Sequence, residues 1–178
     1  MTIRPYDKDA DLEALASWIT DERLHALWCG GRTDFPLSRE SFDALLDAEA
    51  REHDTYPFTA LDDGGRQVGF FCMGANRETG EAMLKFIVIT PELRGRGLGR
   101  EMLSLAVEYG FDTLDAHAVA LMVFSVNERA LKCYKAAGFE LRSVAEGAFR
   151  FGDELWDRCN MVIFRAPGIN TKGIGHET

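Results

Sequence analysis

The hydrophobic positions of this chain repeat with two periods, and the switches between them mark an alternation of helices and strands. Ile3-Arg4-Pro5-Tyr6 reads as a short first strand. Leu12, Leu15, Ala16 and Ile19 recur at helical spacing and predict a helix from Asp9 to Thr20. A second helix starts after Ser38, with Ser38-x-x-Ser41 as its entry signal and Phe42, Leu45, Leu46 and Ala50 on its inner face. Between the two, Trp28 to Pro36 lacks periodicity and reads as a loop. Phe58 to Leu61 and Gln67 to Cys72 bracket Asp62-Asp63-Gly64-Gly65, a turn sequence that predicts a hairpin, and a further strand runs from Ala82 to Ile89. After a glycine-rich stretch, Leu98, Met102, Leu105, Ala106 and Tyr109 share one helical face, with Arg100, Glu101 and Glu108 opposite. Val119 to Val126 reads as a strand and Asn127 to Phe139 as a helix, capped by asparagine and stopped by Gly138. Glu140 to Phe151 then pairs with Glu154 to Phe164 across Gly152-Asp153. The pattern predicts one α/β domain over residues 1–166 and a disordered tail over 167–178.

Composition narrows the function classes. No apolar run approaches the 18 or so residues of a membrane span, and Met1 to Asp7 lacks a signal-peptide core, so a soluble cytoplasmic protein is expected, with no membrane partner. Cys29, Cys72, Cys133 and Cys159 are widely spaced and form no CxxC pair, which argues for buried thiols and against a metal site. The net charge of −9 is unevenly placed. Residues 1–63 hold 15 acidic and 6 basic side chains, while residues 64–178 hold 14 of each. Nucleic acid is a poor partner for such a chain, but the neutral part does not repel a small polyanion.

That neutral part contains the most informative segment. Leu84 to Pro91 leads from a buried strand into Glu92-Leu93-Arg94-Gly95-Arg96-Gly97-Leu98-Gly99-Arg100 and on into a helix. Glycines let backbone N–H groups converge, and the first helical turn adds unpaired donors and a positive dipole end. The expected ligand is a diphosphate. A Walker loop is excluded because no lysine lies near the turn, and a dinucleotide fingerprint because position 100 is arginine where glycine is required.

The pattern Arg94-x-x-Gly97-x-Gly99 resembles the acetyl-coenzyme A signature of the GNAT (GCN5-related N-acetyltransferase) superfamily. A second motif agrees with it: Asn127, two residues, Ala130, three residues, Tyr134, then Gly138-Phe139. The resemblance spans about Ile3 to Arg165. It implies a mixed central sheet splayed between its fourth and fifth strands and flanked by about four helices, with acetyl-CoA as co-substrate and no metal. It places the pantetheine arm along Ile87, Val88 and Ile89, and the pyrophosphate on the amides of Gly95, Arg96, Gly97, Leu98, Gly99 and Arg100, beside Arg94. Asn127 belongs on the cofactor side, although its capping role explains it equally well.

The implied reaction is direct attack of a neutral amine on the thioester carbonyl, with the oxyanion held by a backbone N–H of Ile87 or Val88 and the departing sulfur protonated by Tyr134. An alkylamine is mostly protonated at neutral pH, so a proton acceptor is needed. Ribosomal-protein N-terminal acetyltransferases of the family carry a glutamate where this chain has Met122 in Leu121-Met122-Val123. Glu81, which shares pleat parity with Ile87 and Ile89, is one candidate base; Glu146, Asp153, Asp157 or a water are others. The acceptor is a small-molecule or peptide amine. N-terminal carboxylates and exposed Trp18 and Trp28 suggest a cationic one. A non-catalytic acyl-CoA sensor is the alternative, and a homodimer is compatible with the family.

Overall fold

The computed structural model describes residues 1–166; the tail expected over 167–178 lies outside the described residues. Seven strands form one mixed sheet in the order β1-β2-β3-β4-β5-β7-β6. They are β1 (Thr2–Pro5), β2 (Thr55–Leu61), β3 (Gln67–Asn76), β4 (Glu81–Ile89), β5 (Ala118–Phe124), β6 (Glu140–Phe151) and β7 (Glu154–Phe164). All neighbours are antiparallel except β4 and β5, which run parallel. A parallel pair needs a crossover, and α4 (Leu98–Asp112) supplies it. The α5 helix (Glu128–Ala136) lies beside α4, and both cover one face of the sheet.

The opposite face is covered by three helices, where the periodicity predicted two: α1 (Leu12–Trp18), α2 (Glu22–Cys29) and α3 (Arg39–His53). Among the described residues this makes five α-helices, in keeping with the four or so expected. The segment missed is α2, whose signals are local. Asp21 caps it by accepting from the Leu24 amide at 2.8 Å, and Gly30 ends it in the left-handed conformation. Trp28 therefore sits in a helix, and neither it nor Trp18 is exposed as expected. Both belong to the apolar layer that α1, α2 and α3 bury against Phe70, Cys72, Phe86 and Val88.

The β4 strand deviates from regular geometry in a way that shapes the site. On β4, Lys85 pairs with Cys72 and Val88 with Phe70, so Phe86 and Ile87 together oppose Phe71. This is a β-bulge, and Phe86 takes a positive φ of 51°. The extra residue reverses the facing of the strand. Ala82 and Leu84 pack in the layer under α4, whereas Phe86 and Val88 pack in the layer under α1 to α3. The pleat parity that seemed to join Glu81 to Ile87 is thus broken between them.

Candidate active site

The bulge coincides with an opening in the sheet. Pairing between β4 and β5 runs only from Glu81↔Ala118 to Leu84↔Leu121. Beyond that point the strands part, so main-chain groups of Lys85 to Ile89 that face away from β3 have no neighbouring strand. Trp28 holds this margin from the side: its buried indole Nε1 donates to the carbonyl of Phe86 at 2.8 Å. An extended ligand with its own amide groups can pair with such an edge.

The chain leaves β4 through a single 3-10 turn at Pro91–Leu93 and reaches the glycines. The side-chain Nε of Arg94 donates to the Ile89 carbonyl at 3.1 Å, tying the turn back to the strand end. Gly95 and Gly97 have φ of 80° and 87°, conformations that a β-carbon would strain. Gly97 then caps α4, its carbonyl accepting from the amides of Arg100 and Glu101. The free donors at this helix start are therefore those of Gly95 to Gly99, with the Arg100 amide already engaged.

Three guanidinium groups surround these donors. Burial and the nearby positive charge of Arg129 both lower the basicity of Arg94. Arg129 itself reaches the turn, with its NH2 3.8 Å from where a β-carbon on Gly95 would lie. Arg100 and Arg129 also bear on the Cys133 thiol, although burial dominates there and raises its pKa. Like charges gathered at a helix start favour a bound polyanion. Asn127 caps α5, its side chain accepting from the Ala130 amide at 3.2 Å. Tyr134 is buried on α5, and burial followed by the Cys133 thiol pushes its phenol well above the usual value. Among the described residues its hydroxyl makes no hydrogen bond, yet it is not one of the fully enclosed unpartnered polar atoms, so it faces open space.

One cavity of about 530 Å³ unites most of the predicted residues: Ile87, Val88, Ile89, Arg94, Gly95, Gly97, Gly99, Arg100, Asn127 and Tyr134 all line it. Arg96 and Leu98 do not. Arg96 lies in a neighbouring groove between α4 and the end of α5, with Glu101, Ser104 and Ala136. The candidate bases are not brought to the cavity either. Glu81 accepts two 2.9 Å hydrogen bonds from Arg142 at the opposite end of β4. Asp157 accepts from the Gly147 amide, while Glu146 and Asp153 are exposed in the terminal hairpin. Arg129 and Phe86, which the sequence reading did not single out, also line the cavity, as does Trp28, expected there as an exposed acceptor-side indole and found buried instead. For Arg129 a signal existed, a cation two residues after the Asn127 cap and so on the first turn of α5.

A family model described as an acetyltransferase (GNAT) domain matches residues 1–140. This chain belongs to the GNAT acetyltransferase family. Among curated GNAT relatives, the spermidine N(1)-acetyltransferase of Escherichia coli strain K12 is 32% identical over 79 residues, covering 44% of this chain and 42% of that protein. The spermidine N(1)-acetyltransferase of Vibrio cholerae serotype O1 is 36% identical over 84 residues, 47% of this chain and 49% of that one. These matches span less than half the length of each relative. The fold is shared more widely. A crystal structure of spermidine N-acetyltransferase from Vibrio cholerae, in complex with CoA and spermine, superposes with a TM-score of 0.76 at 22% identity, covering 92% of this chain and 94% of that one. Among the described residues no helix is long and apolar enough to cross a membrane.

Proposed function

We propose that the protein transfers the acetyl group of acetyl-CoA to a primary amine. The observation that carries this reading is the coincidence of a parted β4–β5 edge with a glycine turn and three arginines at its mouth and Tyr134 in its wall. The donors of Gly95 to Gly99, with Arg94, Arg100 and Arg129, fit the diphosphate of coenzyme A. The free edge at Ile87 to Ile89 fits the amides of a pantetheine arm. The thioester, when bound, supplies the activated acyl carbon. This chain contributes position, a backbone N–H of β4 to receive developing negative charge, and the protonated Tyr134 phenol as a proton donor to sulfur.

Catalysis is favoured over a sensor role by the placement of the Tyr134 hydroxyl, which opens into the cavity without a competing partner. Relatives named for spermidine make a polyamine the acceptor that the comparisons suggest. Release of free thiol from acetyl-CoA, followed with a chromogenic thiol reagent across a panel of amines, tests the proposal. Amine-dependent release supports it. Binding of acetyl-CoA with no release for any amine points to the sensor instead.

A further inference from the structure

The opening in the sheet continues past Phe86 into a second chamber of about 380 Å³ on the side of α2, sharing Leu27, Trp28, Leu84, Phe86, Met122 and Val123 with the first. Such a continuation is where an acceptor would sit. Its charged lining consists of Arg32, Lys85 and Arg158. Neither chamber has an aspartate or glutamate in its wall.

The carboxylate that this lining engages is Glu49 on α3, and it is spent. It is fully buried, one oxygen accepting from Lys85 Nζ at 2.6 Å and the other from Arg32. One negative charge therefore serves two cations. Arg158, exposed on β7 opposite Phe124, has no ion pair among the described residues. The chamber keeps a net excess of two positive charges, next to an apolar wall of Met122, Phe124 and Phe149. A polyamine would bring further ammonium groups against this lining and find no carboxylate to receive them.

We infer that the acceptor is a compact primary amine that also carries an oxyanion, a carboxylate or a phosphate, seated between Arg32, Lys85 and Arg158. This rests on the acetyltransferase reading above. The step balances simply: the amine nitrogen bonds to the acyl carbon, the carbon–sulfur bond breaks, sulfur leaves with the electron pair, and the proton shed by nitrogen matches the one that restores the thiol. The cationic lining serves this step as well, because nearby positive charge favours the neutral form of the amine and so lessens the need for a carboxylate base.

The test uses matched acceptors with the full chain and acetyl-CoA: free amino acids against their amides, 2-aminoethyl phosphate against ethanolamine, and spermidine. The anionic member of at least one pair should exceed its neutral partner in kcat/KM by about tenfold or more, the effect of a charge-assisted contact, with spermidine below both. The pair that responds distinguishes carboxylate from phosphate. Arg158→Gln should bring that ratio towards one, and Arg158→Lys should keep most of it, with acetyl-CoA affinity unchanged in both. Preference for spermidine or for the neutral partners, no turnover in any pair despite acetyl-CoA binding, or a ratio indifferent to Arg158→Gln would each overturn the inference. Absence of acetyl-CoA binding, read separately by calorimetry, would defeat the acetyltransferase reading instead.

Discussion

The indole N–H of Trp28 reaches 58 residues along the chain to the carbonyl of Phe86, the residue at which β4 bulges and turns its back on β5. A bulge leaves a carbonyl out of the ladder, and a buried carbonyl without a donor is costly. Trp28 supplies that donor while its ring packs against Phe42, Phe70 and Phe86. Replacing it with phenylalanine keeps most of the apolar bulk and removes the hydrogen bond. Trp28→Phe is expected to lower stability by about 1–2 kcal/mol, seen as a lower urea midpoint, and to reduce turnover more than it weakens acetyl-CoA binding. An unchanged kcat would show that the bulge does not depend on this contact.

Tyr134 is protonated throughout the physiological range, since burial raises its pKa. As an acid it stays available as pH rises, so the alkaline limb of the rate profile should not come from its ionisation. Tyr134→Phe should slow turnover by about tenfold or more, within the usual contribution of a positioned acid, and leave acetyl-CoA affinity within about twofold. Steady-state rates at saturating substrates, paired with calorimetry, check both parts.

Arg94 and Arg129 repel each other across the glycine turn, and a bound diphosphate converts that repulsion into attraction. Arg129→Ala should cost nothing in the stability of the free protein while weakening acetyl-CoA binding by about tenfold or more. Thermal melts with and without acetyl-CoA measure both quantities. At a ligand concentration of 100 Kd the wild type should gain about 2.7 kcal/mol, and the variant less at the same concentration.

Burial raises the pKa of Glu49, but the hydrogen bonds from Lys85 and Arg32 outweigh it and hold the carboxyl below its ordinary value. A depressed carboxylate stabilises the fold at pH values above its unfolded pKa, and that stabilisation fades as pH falls through the folded pKa. His25 on α2 is buried against Phe35, and desolvation lowers its pKa. Its contribution is complete above about pH 6.5 and fades below it. Stability should therefore decline in two stages on acidification, the histidine first. Glu49→Gln should remove the lower stage and cost about 2–3 kcal/mol at pH 7, less than for a fully enclosed pair because both cations reach solvent. Urea titrations at several pH values test this.

Much of this architecture is legible from residue order. The two motifs, the strand before the glycines and the hairpin at Gly152-Asp153 lie where periodicity and turn chemistry place them, because each rests on local preferences. The misreadings share a cause. The α2 helix is eight residues long, and its tryptophan, histidine and cysteine blur its apolar face, leaving Asp21 and Gly30 as its only plain signals. The bulge at Phe86 leaves no local trace, since residues 86–89 are all apolar and carry no alternation that an inserted residue would interrupt. Only the register against β3 exposes the inserted residue, and with it the reason Glu81 cannot reach the cleft. Lys85, a charge inside an otherwise apolar strand, was the visible hint of the buried partner on α3.

The central claim is that the amides of Gly95 to Gly99, with Arg94, Arg100 and Arg129, hold the diphosphate of coenzyme A. Titration calorimetry with acetyl-CoA and with S-acetylpantetheine, which shares the thioester arm and lacks the diphosphate, isolates that contribution. Acetyl-CoA should bind about a hundredfold or more tightly, as expected for several charge-assisted hydrogen bonds. Equal affinities, or no binding of acetyl-CoA, would contradict it.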